Sequence, residues 1–402
     1  MAYTGNLQVV RSSGAMLAAN QKPDIDTVLR VLEPYQTPIL QYMFFSGKTS
    51  KPVRNQAGKF DWFEDELFPH QTTILSTLAL AGSSPDTLVV TAADADITML
   101  KLGDLVYVEY YDEMLYVSAQ TVGTSATLAH PDGTTAPTAW AAAAVGSYIK
   151  VIGSMFDENS GVPLSLSTQE INVYNRLTIF NESVKSTGRQ QAGDSWTDGT
   201  THDEQVAKKM KEMKLQYERN FIYSLSTGVV TTNSIQRTYG KGLLGFITTN
   251  AQDYAGTLTE EVWDDYLTAV LAKGSDMRTH YCGNAQFNDI QKIVKDKLGN
   301  FPPVQKTAYG VRFHTYIHGM GDVDIVRHPL FDGKFTNAGI TVEQKNLIGR
   351  HMANDKKGSR KFRIEANVET PGADRTETKL LADIGLEFPN QETAGYLYQP
   401  VA

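Results

Sequence analysis

The sequence predicts an α+β fold carrying a small inserted β-rich module, and three observations predict it. Between Asp203 and Leu225, Val206, Met210, Met213, Tyr217 and Phe221 recur at steps of three and four, the period of a helix with one buried side. Lys208, Lys209, Lys211, Glu212, Lys214, Glu218 and Arg219 are expected to face elsewhere. From Asp86 to Ile152 short β-prone runs alternate with turn residues, the pattern of a small all-β unit. More strand-like segments follow far downstream, closing near Ile384 to Phe388.

Composition bounds the answer. A chain of 402 residues, 41% hydrophobic and 20% charged, can bury one large core or two to three smaller ones. The 45 acidic against 37 basic residues leave a formal charge of -8, which offers counterion release no obvious basic surface and disfavours sequence-reading of DNA. Cys282 is the single cysteine, so neither an intrachain disulfide nor a cysteine-based zinc site is expected, and folding in a reducing compartment follows. Met1 to Asn20 has neither the basic start nor the apolar run of a secretory signal. The longest apolar candidate, Ala139 to Val145, is far short of the roughly 20 residues of a membrane span, so no membrane is expected.

In chain order, Met1 to Lys22 reads as a polar arm. Asp24 to Phe45 has helical spacing broken by Pro34 and Pro38, which predicts two short helices or a kinked one. Lys59 to Leu67, KFDWFEDEL, reads as a strand with Phe60, Trp62 and Glu64 on one face and Asp61, Phe63 and Asp65 on the other. Neither face is cleanly apolar, which suits contact with a partner. The module's expected strands are Leu88 to Thr91, Leu105 to Tyr110, Met114 to Gln120, Ala126 to His130 and Tyr148 to Ile152. Ile171 to Gly188 reads as one long strand with Ile171, Val173, Leu177 and Ile179 alternating, and Gly188 to Gly199 as a loop. Thr201 with Glu204 forms a capping box for the long helix. Thr257 with Glu260 starts a second helix and Asn284 a third. Tyr309 to Ile317 and Val323 to Arg327 read as a hairpin.

Motifs of chemistry are sparse. Ser46-Gly47-Lys48-Thr49 resembles the end of a phosphate loop, but Tyr42 stands where its first glycine belongs. His314 and His318 share a strand face without an identifiable third ligand. Asp94 with Asp96, and Asp322 with Asp324, lack calcium-loop spacing. Cys282 near His280 reads as a buried small residue. The run Lys356, Lys357, Arg360, Lys361 and Arg363 is either a solvated loop or a meeting point for phosphates. No catalytic constellation, cofactor or metal is expected, and a structural role is preferred to an enzyme.

Four passages carry a resemblance: AGKFDWFEDEL at Ala57 to Leu67, YNRLTIFNESVKSTG at Tyr174 to Gly188, DEQVAKKMKEMKLQYERNFIYSL at Asp203 to Leu225, and DIGLEFPNQETAGYLY at Asp383 to Tyr398. Their order resembles that of major capsid proteins of tailed bacterial viruses with the Hong Kong 97-like fold, in the subgroup with a β-rich insertion. The resemblance implies an N-terminal arm with short helices (1–45), an extended loop (46–80), the inserted module (81–153), a return strand and peripheral domain on the spine helix (154–230), an axial domain (231–335), and C-terminal strands completing both (336–402). It implies self-assembly as hexamers and pentamers into an icosahedral virion shell around double-stranded DNA, bound without sequence specificity, after assembly in the host cytoplasm. Portal, scaffold and decoration proteins are the implied partners. The extended loop makes Phe60, Trp62, Phe63, Glu64 and Asp65 the candidates for contact with a neighbouring subunit. Replacing Trp62 and Phe63 together by Ser is then expected to leave a folded subunit that cannot close a shell. Asn175-Arg176-Leu177-Thr178 departs from the family pattern, where a glutamine near the threonine is expected. Covalent Lys to Asn cross-links are not implied. The alternatives are a nanocompartment shell of the same fold holding enzyme cargo, and a tail or surface-binding protein.

Overall fold

The computed structural model describes residues 37–45, 50–75, 79–80, 87–91, 97–110, 112–121, 124–131, 146–156, 158, 161, 165, 167–193, 201–298, 305–308, 311–356 and 358–400. The arm before residue 37, Ser46 to Thr49, Asp94, Asp96, Ala139 to Val145 and Lys357 lie outside these residues. The architecture is α+β, as expected. The chain divides into two compact units, Met1–Trp62 with Val173–Ala402, and Phe63–Asn172.

The unit Phe63–Asn172 is built on one seven-stranded sheet, ordered Gln71–Thr73, Tyr148–Ser154, Asp104–Val108, Glu113–Thr121, Ser125–Ala129, Thr87–Thr91 and Ala79–Leu80, with every neighbouring pair antiparallel. All five strands expected from the alternation are present. Two more, Gln71–Thr73 and Ala79–Leu80, come from residues expected in an extended loop. Alternate residues Val106, Val108, Leu115, Val117, Ala126, Leu128 and Ile149 enter one apolar cluster with Ile97, Met99 and Leu100, as a half-buried pleated surface requires. Gly103, at φ +86°, permits the tight turn into Asp104–Val108, because a Cβ there would sit 2.8 Å from the Met155 carbonyl.

The larger unit holds two many-stranded sheets, a two-stranded hairpin and the long helix. In the first sheet, Ile348–Met352 lies between Lys51–Val53, which is parallel to it, and Arg375–Glu387. Arg375–Glu387 pairs in turn with Thr178–Thr187 over ten residue pairs, and with Arg363–Glu365. The second sheet runs Ala251–Asp253, Gly395–Tyr398, Ala338–Val342, Met277–Cys282, Gly321–Arg327, Val311–His318, Gln305–Ala308. Its central strand Met277–Cys282 is almost wholly buried, with helix Glu260–Leu271 supplying Trp263, Tyr266, Leu267 and Val270 to the same apolar cluster as Cys282. The expected hairpin is present as Val311–His318 with Gly321–Arg327.

The spine helix is His202–Tyr223, and Thr201 and Glu204 form its capping box, the Glu204 carboxylate accepting the Thr201 hydroxyl at 2.8 Å. Met213, Tyr217 and Phe221 are buried in the core, and Val206 and Met210 are half-buried against it. The stripe read from the sequence is therefore the packing face, thinning toward the helix start.

Several expectations are corrected. The pattern from Ile171 onward is two strands, Ile171–Arg176 and Thr178–Thr187. Leu177 between them turns inward at 1% exposure, so Ile171 and Ile179, expected on its face, are exposed. The residues after Thr187 begin not as a loop but as a short helix, Gly188–Ala192, capped by the Thr187 hydroxyl, which accepts the Gln190 N–H. Thr259, not Thr257, caps the second helix, two residues closer to its first turn. Glu218, expected on the solvated side of the spine, is fully buried.

One buried titratable group gives the fold a pH dependence. His280 Nδ1 lies 2.8 Å from the Thr341 hydroxyl and its Nε2 3.2 Å from Gln286 Oε1. The amide oxygen only accepts, so Nε2 carries the proton and Nδ1 takes the hydroxyl hydrogen. Burial pushes the imidazole down to about 4 from the ordinary 6.5. The unfolded chain thus binds a proton that the folded one refuses between these values, so stability holds above pH 6.5 and falls as pH drops to about 4. The loss attributable to this group is about 3 kcal/mol. Urea unfolding of the unassembled subunit at pH 7 and pH 4 is expected to show it, and His280→Asn is expected to flatten the slope over that interval.

Candidate inter-subunit surface

The surface starts at Gly58, whose φ of +63° turns the chain into Lys59–Glu64 and whose carbonyl accepts the Leu177 N–H at 2.9 Å. Lys59–Glu64 and Ile171–Arg176 pair as a two-stranded ribbon. In Lys59–Glu64 the faces are unequal, alternating buried and exposed from Phe60 to Phe63.

Phe60 and Trp62 point into the larger unit's own core, at 6% and 8% exposure. Their rings stack at 6.1 Å, Trp62 meets Phe246 at 5.9 Å, and the Arg350 guanidinium lies 5.5 Å over Phe60. This corrects the expectation that both belong to a neighbour's contact: they are anchors of the ribbon. Asn175 anchors the other strand. It is fully buried, its amide donates to the carbonyls of Lys241 and Leu386, and its oxygen accepts the N–H groups of Arg176 and Lys241. Asn175 thus satisfies its whole hydrogen-bonding capacity.

The opposite face is left outside. Asp61 and Phe63 are exposed, Phe63 at 65%, Glu64 is half-buried, and Asp65, Glu66 and Leu67 continue the exposed strip, Leu67 at 94%. Lys59 bridges Asp61 at 2.9 Å and lies 4.6 Å over the Tyr174 ring, which holds the root of this face in place. Of the five contact candidates, Phe63 and Asp65 are exposed, and Glu64, on the face of Phe60 and Trp62, is half-buried.

A second feature had no local signal in the sequence. The Glu218 carboxylate accepts the N–H groups of Ile39 and Leu40 at 2.8 and 2.7 Å and faces His328 Nε2 at 2.9 Å. His328 Nδ1 accepts the Leu330 N–H at 3.2 Å, so this nitrogen carries no proton and the imidazole is a neutral donor to the carboxylate. Glu218 thereby ties the turn Pro38–Leu40, which continues as a wider turn over Gln41–Phe45, to the middle of the molecule.

The motifs of chemistry resolve as structure. Cys282 is buried, burial pushes its thiol up, and its Sγ lies 3.7 Å from the Val326 carbonyl. Within the basic run, Arg360 pairs with Asp383 and Asp355, Arg363 with Asp355 and Glu365, and Lys361 donates to the Phe44 carbonyl. Those three cations are committed inside the molecule. Among the described residues no cluster of three or more His, Cys, Asp or Glu could hold a metal, and no helix is long and apolar enough to cross a membrane.

No match is found among curated proteins. Among solved structures, the chain is similar to the capsid subunit of a native GTA particle, at 10% identity and a TM-score of 0.49 over 98% of this chain and 100% of that one. It is similar also to the structure titled Mycobacterium phage Bobi, at 8% identity and a TM-score of 0.46 over 96% and 97%. With the SrpI encapsulin of Synechococcus elongatus PCC 7942 the identity is 14% and the TM-score 0.44, over 57% and 77%. The family itself is shown by sequence, over almost the whole length. Residues 4–399 match the model of the SU10 major capsid protein, so the chain belongs to that family and is a structural shell protein rather than an enzyme.

Proposed function

We propose that copies of this capsid protein close as hexamers and pentamers into an icosahedral shell around double-stranded DNA, with the exposed face of the ribbon and the strip Phe63 to Leu67 lying on a neighbouring subunit. The observation that carries the reading is the ribbon and the strip that follows it: one face of the ribbon is rooted in the core through Phe60, Trp62 and Asn175, the other leaves Phe63 in solvent, and Leu67 after the strand is exposed as well. Apolar side chains held out together on a well-anchored segment suit a contact made with a partner. The order of parts, with the seven-stranded sheet, the strand Thr178–Thr187 and the spine helix in sequence, agrees with what the resemblance to Hong Kong 97-like capsid proteins implies and supports the reading.

Each contact can be modest, since ring closure repeats it and a specific interface needs only about 1,600 Å² in all. A net charge of -8, with Arg360, Lys361 and Arg363 committed to internal partners, suits an enclosing wall that does not pin a polyanion. Portal, scaffold and decoration proteins would complete the particle, assembled in the host cytoplasm. Electron microscopy of the protein expressed alone and with its neighbouring genes tests this. Shells or rings of five and six copies, filled with DNA when the neighbours are present, are expected. Protein density inside would favour the nanocompartment, and a uniform monomer or trimer would overturn the reading.

A further inference from the structure

Just after the spine helix, Gly228–Thr232 and Ile235–Tyr239 form a hairpin closed by Asn233 and Ser234, whose φ values of 50° and 62° suit a two-residue turn matched to strand twist. The register gives its two faces different characters. Val229 pairs with Thr238 and Thr231 with Gln236 on one face. That face meets the body of the subunit at its root: the Thr238 hydroxyl donates to the Leu177 carbonyl at 2.7 Å, and Gln236 and Thr238 line a groove of about 510 Å³ with Arg54, Ile179, Asn354 and Asp383, while Val229 and Thr231 stay exposed. The other face carries Gly228 with Tyr239, Val230 with Arg237 and Thr232 with Ile235.

On this second face Val230 is 51% and Ile235 68% exposed, and Tyr239 lies across Gly228, where a Cβ would meet its ring. Both strands are exposed along almost their whole length. A lone two-stranded hairpin is marginal in water, and an apolar row on it gains most when something covers it. Its only formal charge is Arg237.

The charges choose the cover. In a shell each subunit's neighbours are copies of itself, so the surfaces available are those of this chain. Two hairpins face to face would set Arg237 against Arg237, and two strips Phe63 to Leu67 would set Asp65 against Asp65. The strip on the hairpin pairs opposite signs and lays Phe63 and Leu67 beside Val230 and Ile235, which is the complementary arrangement. We propose that the outward face of the hairpin Gly228 to Tyr239 receives the strip Phe63 to Leu67 of a second copy. This rests on the shell reading and names the acceptor within it. The contact is head to tail, because donor and acceptor are different patches, and a rotation that closes it generates a ring. Neither strip is large enough for a standard interface of about 800 Å² per partner, so this contact supplements others made around the ring.

Cysteine pairing tests it, since the natural Cys282 is buried and leaves engineered thiols as the reactive ones. Glu66→Cys with Thr232→Cys in one chain, which keeps Phe63, Leu67, Val230 and Ile235 in place, is assembled under reducing conditions, oxidised, and run on a denaturing gel without reductant. A ladder of dimers and higher multimers is expected, absent from each single variant. Arg237→Glu is expected to weaken assembly at least tenfold in the concentration required, with recovery when Asp65→Lys is added. If the double-cysteine variant forms shells as the wild type does but gives only monomer on the gel, or Thr232→Cys alone gives the dimer, the acceptor is wrong while the shell reading stands. If wild-type protein forms no shells or rings, the shell reading fails first, and the proposal with it.

Discussion

Replacing Glu218 by Ala is expected to lower the stability of the subunit by about 3–5 kcal/mol, since each buried donor left without an acceptor costs about 1–3 kcal/mol. The carboxylate holds two backbone N–H groups and a neutral histidine at 2.7 to 2.9 Å in a fully buried place. Its loss leaves three donors without acceptors. Glu218→Gln keeps the shape and one acceptor but presents an amide donor to one of these N–H groups, so an intermediate loss is expected, about 1–3 kcal/mol. Urea denaturation of the unassembled subunit measures both. Cleavage of the Pro38–Phe45 segment by a protease at low urea should rise more than the global loss predicts, because that segment is what the carboxylate holds. Equal stability of Glu218→Ala and wild type would show that the buried carboxylate contributes nothing.

Trp62→Ser and Phe63→Ser are expected to fail in opposite ways, although the residues are neighbours in one strand. Trp62 packs against Phe60 and Phe246 at 8% exposure, so its truncation is expected to cost about 3–5 kcal/mol and to reduce the yield of folded subunit. Phe63 is 65% exposed; its truncation is expected to change stability by no more than about 0.5 kcal/mol. Shells are expected to be lost all the same, because the interface loses an apolar anchor. Denaturation of the subunit and negative-stain microscopy of the assembly reaction, carried out on both variants, separate the two effects. Normal shells from Phe63→Ser would remove this strip from the interface. The double replacement, by contrast, mixes a folding defect with an assembly defect.

That distinction marks where sequence stops being legible. Alternation in KFDWFEDEL assigns Phe60 and Trp62 to one face and Phe63 to the other, and the structure keeps that division. Which face is inside depends on Phe246 and Arg350, far along the chain, and the acidic residues after Phe63 disguise the apolar side. The spine helix was legible because capping and period are local: Thr201, Glu204 and the stripe from Val206 to Phe221 lie within one element. Glu218 sits in the same element, one position past Tyr217, and follows the polar pattern in every local respect. Its burial comes from two N–H groups 178 and 179 residues away. The module's strands were read correctly where each alternates over five or more residues, and missed at Gln71–Thr73 and Ala79–Leu80, which are too short to carry a period. At Leu177 a break of a single residue divides the long strand, and only the approach of Gly58 to its backbone marks it.

The chain leaves the larger unit after Trp62 and re-enters it at Val173 through two strands that are hydrogen-bonded neighbours. A segment whose two ends sit side by side is topologically a cassette: it can be lengthened, shortened or exchanged without moving the strands that bear it. A chain without the module would need only a tight turn between these strands. A foreign domain with adjacent termini could be carried in the same place, in one copy per subunit, and multiplied by however many subunits the particle holds.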